Sequence, residues 1–208
     1  MRKCLLILCT TVCVLGASGV VGAAIVSMDD PVFGPGTITR DTATNLDWLD
    51  LTLSTNYTWS QIDSLTQTGG LFEGFVFADA SKIRQFWEDA GIDTTQVGQG
   101  LSAPLYQPVS DLVALLGITY QLPGDPQIYS MAFSTTFDPG YENPAVYGLR
   151  ANDSTGTASI FVRYNRDTNT PESYIGGYLY RPVPIPKAIW LMATGLIGIL
   201  GLRRIIQH

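Results

Sequence analysis

Tyr129-Ser130-Met131-Ala132-Phe133-Ser134 alternates large apolar side chains with small ones at a period of two, the pattern of a β-strand with one face on a core. Working outward, further strand-like runs stand at 145–150, 158–164 and 174–180. Turn-forming residues separate them: Asp138-Pro139-Gly140, then Asn152-Asp153-Ser154-Thr155-Gly156, then Asn165-Arg166-Asp167-Thr168-Asn169. Strands joined by short turns predict an antiparallel sheet in the second half of the chain.

Upstream the period changes to that of a helix. Thr58-Trp59-Ser60-Gln61 is a capping box, Trp59, Ile62 and Leu65 follow on one face, and Gly69-Gly70 stops the segment. Asp79 caps a second helix with Ile83, Phe86, Trp87 and Ala90 on its apolar face, Arg84 and Glu88 paired four residues apart, and Gly91 as its stop. A third, shorter helix is expected from Ser110 through Leu112, Leu115 and Leu116 to Gly117. Two to three helices followed by strands predict an α+β domain over residues 25–182, with no internal repeat or linker to divide it.

The ends of the chain read differently. Arg2-Lys3 precedes an apolar run from Cys4 to Leu15, and small residues at Gly22, Ala23 and Ala24 complete a signal-peptide pattern. Residues 1–24 are expected to be removed by signal peptidase, with the cut at or beside Ala24. At the other end Val183-Pro184-Ile185-Pro186 is followed by an uncharged apolar run containing Trp190-Leu191, then Arg203-Arg204. A helix over about residues 187–204 would cross a membrane with Trp190 at one interface and the two arginines snorkelling to the other. Basic residues at both termini place the intervening domain outside the cytoplasm.

The tail 183–208 resembles the PEP-CTERM sorting signals of bacteria, in the variant with Val-Pro-x-Pro ahead of a Trp-Leu-bearing span. The residues that carry the resemblance are Val183, Pro184, Pro186, Trp190, Arg203 and Arg204. Ile185 stands where the family's eponymous glutamate would be. The resemblance implies an exosortase-like processing enzyme as partner. It also implies transient residence in the inner membrane of a Gram-negative bacterium, then the cell surface or extracellular matrix, with exopolysaccharide as a companion. A single-pass anchor on an accessory protein is the alternative.

Composition narrows the chemistry of the central domain. All eighteen Asp and Glu fall between Asp29 and Glu172, against seven Lys and Arg between residues 25 and 182, so the central region 25–182 carries a net charge of −11. A surface of that sign repels phosphate backbones, and no nucleic-acid partner is expected. Cys4, Cys9 and Cys13 lie in the signal-peptide segment, and the single histidine is His208. The domain therefore has no Ser-His or Cys-His nucleophile and no His/Cys zinc site. No cofactor is expected and no metal ligand set is assigned; calcium is the one cation that its carboxylate-bearing loops leave open. A non-catalytic adhesive or polysaccharide-associating protein is expected, with a glycosidase built on two carboxylates as the enzymatic alternative.

A second resemblance concerns 41–52, DTATNLDWLDLT, followed by the Trp59 helix, Gly74-Phe75-Val76-Phe77-Ala78 and the Phe86 helix. This order resembles C-type-lectin-like bacterial domains, in which a strand with a Gly-Leu-x-Trp motif leads into two helices and then a sheet. Asn45 takes the glycine's place and Phe75-Val76 that of Trp-Arg. The resemblance implies a ligand surface at Asp47, Trp48 and Asp50, two carboxylates beside an aromatic face. Unaided, the alternation of Asp47, Trp48 and Leu49 reads as a half-buried strand.

Overall fold

The computed structural model of the chain describes residues 24–137, 143–164 and 166–183. Gly22 of the expected cleavage site, the turn at Asp138-Pro139-Gly140, Pro184, Pro186, Trp190, Arg203, Arg204 and the expected span at 187–204 lie outside the described residues. Among the described residues no helix is long and apolar enough to cross a membrane.

The domain is α+β, as expected, but it opens on strands. β1 (Ile25–Asp30), β2 (Gly34–Asp41) and β3 (Leu46–Leu49) form an antiparallel meander before any α-helix. The first two escape a sequence reading because Gly34-Pro35-Gly36 looks like a loop and because β1 is a largely exposed edge strand. The Asp30 carboxylate shapes the β1–β2 turn by accepting from the Val32 and Phe33 amides at 2.8 and 3.1 Å. Asp41 does the same after β2, accepting from the Ala43 amide at 2.8 Å and from the Thr44 hydroxyl.

Helix α1 (Trp59–Thr66) starts on the expected capping box. Thr58 Oγ1 accepts from the Gln61 amide at 3.1 Å, and Gln61 Oε1 accepts from the Thr58 amide at 2.8 Å. After β4 (Val76–Phe77), helix α2 (Ala80–Asp89) is capped by Asp79 and buries Ile83, Phe86 and Trp87, also as expected. Its Glu88 does not pair with Arg84; it accepts from the Thr94 hydroxyl at 2.5 Å. Helix α3 (Tyr106–Leu116) begins four residues before the expected Ser110. Pro108 falls in its first turn, where a missing N–H costs no helical bond.

β5 (Gln127–Phe137), β6 (Pro144–Asn152) and β7 (Thr157–Arg163) are the expected antiparallel strands. The run at 174–180 is not one strand. It splits into β8 (Gly176–Gly177), parallel to β5, and β9 (Leu179–Pro182), which lies between β3 and β4 in the other sheet. The crossing residue is Tyr178: its amide donates to Phe133 O at 2.9 Å, and its carbonyl accepts from the Ala78 amide at 2.8 Å. Gly176 permits the passage, since a Cβ there would stand 2.2 Å from Leu51 O.

Two sheets result, ordered β1-β2-β3-β9-β4 and β7-β6-β5-β8. The second is covered on both faces. On one side Ala132, Tyr147, Leu149 and Ile160 join Trp48, the α2 residues Phe86 and Trp87, and Leu112 and Leu116 of α3. On the other, Met131, Phe133 and Val146 join Ile38, Leu49, Ile62, Phe72, Phe75 and Leu179. The alternation at 129–134 thus separates two cores rather than core from water. The two buried hydroxyls on the helix side are satisfied: Ser134 donates to Ala145 O at 3.1 Å and Ser130 to Gly117 O.

Candidate functional site

Asp47, Trp48 and Asp50 do not form a ligand surface, because two of the three are interior. Trp48 is 1% exposed, stacked on Phe86 with ring centres 4.3 Å apart, and offers no face to a sugar. Asp47 points to the opposite side of β3 and accepts a bidentate pair from Arg40, at 2.7 Å from Nε and 3.1 Å from Nη2. Arg181 of β9 stands 3.8 Å from the same carboxylate, bonds Asp30 at 2.5 Å, and lies over the Phe75 ring at 4.5 Å. These charges tie β1, β2, β3 and β9 together. Asp50 alone meets solvent. Burial pushes its carboxyl up, against bonds from the Thr52 amide and hydroxyl at 2.8 and 2.7 Å that cap the 3₁₀ turn Leu51–Ser54. Among the described residues no group of three or more His, Cys, Asp or Glu stands together as a metal ligand set.

A different place gathers groups suited to binding. Pairing across β5, β6 and β7 sets Tyr129 opposite Arg150 and Arg150 opposite Ser159; one pleat on, Met131 faces Gly148 and Gly148 faces Phe161; at the next, Val146 faces Arg163. All project from the side away from α2 and α3. Gly148 lets the Phe161 ring come close over the strand, and the Arg163 guanidinium sits 5.0 Å from that ring's centre. Arg150 Nε donates to the Ser159 hydroxyl at 3.1 Å, which fixes the side chain and leaves its terminal nitrogens for another partner.

Tyr120 closes one end of this surface. It pairs with Tyr129 in a two-way backbone bridge, and its ring lies 5.6 Å from that of Tyr129 and 5.5 Å from that of Tyr174. Two hollows of about 270 Å³ each result. One is lined by Arg150, Ser159 and Phe161, the other by Tyr120, Arg166 and Tyr174. They share Tyr129 and Arg163 as walls, so they adjoin along one groove-like face of the sheet. Burial and then Glu172 push the Tyr174 hydroxyl up, while Arg166 pulls the other way. Among the described residues none of Arg150, Arg163 and Arg166 makes an ion pair.

The strands that build this groove are legible in the sequence, but its function is not. The available signal was that three of the seven Lys and Arg between residues 25 and 182 fall within 150–166.

A second hollow, of about 250 Å³, lies between the end of α2 and α3, lined by Ile25, Asp89, Pro108, Asp111 and Leu115 among others. Burial raises the Asp89 carboxyl most; the bond from Gln85 at 3.0 Å opposes this, and the charges of Asp41 and Glu88 add to it. Asp111 accepts from Gln107 at 2.8 Å.

Compared with known protein families, with curated proteins and with solved structures, the chain matches none.

Proposed function

We propose that the chain is an exported bacterial surface or extracellular-matrix protein, carried out by the signal peptide 1–24 and sorted through its tail 183–208. Its α+β domain associates with polysaccharide and performs no chemistry of its own. The observation that carries the binding role is the groove on β5–β7. Tyr rings give flat apolar faces for pyranose rings, and the arginines beside them supply donors to sugar oxygens. The sorting role rests on the tail sequence. It gains support from the position of Val183, whose amide donates to Asn45 O at 3.0 Å, so the folded domain runs up to the first residue of the Val-Pro-x-Pro motif. A C-type-lectin-like fold draws support from the short strand at Leu46–Leu49 that leads toward α1 and α2 and pairs with β9.

A carboxylate-based glycosidase is the second function that a specific observation favours, since Asp89 and Asp111 line one hollow and Asp89 is held toward its protonated form. Unchanged polysaccharide length after incubation with the protein, beside measurable binding, decides for the non-catalytic role.

Mass spectrometry of the protein from membrane, surface and medium tests the sorting. Surface material should lack Trp190 and everything after it, and Pro184→Ala with Pro186→Ala should accumulate a longer membrane-bound form. Intact Ile205-Ile206-Gln207-His208 in most surface protein, with no effect of the double substitution, would establish the anchor instead.

A further inference from the structure

We infer that the groove on β5–β7 selects glycans bearing carboxylates, of the uronic-acid class, over neutral ones; this rests on the polysaccharide association proposed above. The reason is the hydrogen-bonding sense of its walls. Among the described residues neither hollow is lined by an Asp or Glu, although the region from residue 25 to 182 carries eighteen of them; the acid beside the surface is Glu172, which faces the Tyr174 hydroxyl. The hydroxyls of a neutral sugar donate as well as accept, and a site for them needs acceptors as well as donors. Here the fixed charged groups, Arg150, Arg163 and Arg166, only donate. A carboxylate only accepts, and the guanidinium fork meets it with two parallel bonds. The ring it hangs from has an apolar face for Tyr129 or Tyr174.

Charge points the same way at short range. The domain's net −11 opposes a polyanion at a distance, but beyond roughly 8–10 Å that field is screened at physiological salt, and among the described residues the charged groups that line the groove are Arg150, Arg163 and Arg166. A uronate polymer carries one charge per sugar and can place single carboxylates on the arginines. A nucleic acid packs charge far more densely and would bring many phosphates against acidic surroundings.

The test uses the full chain in detergent, with polygalacturonate, its carboxyl-reduced counterpart and a single-stranded oligonucleotide as probes, followed by titration calorimetry. Carboxyl reduction should weaken binding by roughly tenfold or more, and added salt should weaken binding to polygalacturonate. Arg163→Ala and Arg150→Ala should each weaken binding to polygalacturonate by about fivefold or more, with near-UV circular dichroism unchanged. Lys82→Ala removes the same charge from an exposed position on α2 and should change nothing. Equal affinity for the carboxyl-reduced polymer overturns the selectivity while leaving polysaccharide association standing. Binding to neither polymer overturns both, and tighter binding to the oligonucleotide than to polygalacturonate overturns the glycan as ligand.

Discussion

The ring of Phe161 lies across Gly148 so closely that a Cβ on Gly148 would stand 2.3 Å from the ring's Cζ. The glycine holds the groove floor open by being absent as a side chain. Gly148→Ala should displace the ring, disturb Arg163 above it, and cost about 1–3 kcal/mol of stability through overpacking. A lower urea midpoint at constant slope is the expected result. An unchanged midpoint would mean that the ring moves aside freely.

Asp30 should make the first sheet acid-sensitive. Its burial works against ionisation, but the Val32 amide, Arg181 and the Phe33 amide together outweigh that and hold the carboxyl below the usual carboxylate range. A depressed folded-state value contributes stability above the unfolded value of about 3.9, lost as pH falls through the folded one. Asp30→Asn should therefore be less stable at pH 7 by roughly 1–3 kcal/mol, and the gap should close only in strong acid. Melting curves from pH 7 to 2 measure it; a gap constant in pH would dissociate the effect from the charge.

Asp89 has the opposite sign. Its carboxyl is raised, so the penalty of ionising it is absent below the unfolded value and sets in as pH rises through the folded one. It is also the last residue of α2, where the carbonyl ends of the helix disfavour a negative charge. Asp89→Asn should melt higher at pH 7, by up to about 1 kcal/mol in stability, with the advantage vanishing as pH falls toward 4. Lower stability at pH 7 would show that the charge is needed where it stands.

Tyr178 carries a hydroxyl into the centre of the domain. It faces the Trp87 indole N–H outside hydrogen-bonding geometry, and burial pushes its ionisation up. Removing an unpaired buried hydroxyl while keeping the ring should be neutral or stabilising by up to about 1 kcal/mol. Chemical denaturation of Tyr178→Phe provides the check, and a loss of more than that amount would reveal a hydrogen bond at the hydroxyl.

The parts of this fold that local chemistry specifies were legible in the sequence. Thr58 and Asp79 announce α1 and α2 because a capping side chain binds amides two or three residues away. Alternation marks β5 because small and large residues sort to two different cores. What could not be read depends on distant partners. The run at 174–180 looks continuous, and only the close approach of Leu51 O to Gly176 and the competing edges of two sheets divide it at Tyr178. Asp47 looked available because the sequence does not disclose that Arg40 and Arg181 converge on it. Nor does any local pattern bring Tyr120, Tyr129, Arg150, Arg163 and Tyr174 to one groove, since strand register does that.

The place of β9 bears on the order in which the molecule can be assembled. Among the described residues the first sheet joins residues 25–49 to 76–77 only through Leu179–Pro182, the last of the described strands to be synthesised. Until those four residues have emerged, β3 has an open edge and β4, two residues long, has no neighbour. Contacts spanning more than 130 residues close slowly and late. A chain built in this way stays unfinished through most of its synthesis, and becomes a locked domain only as residues 179–182 arrive.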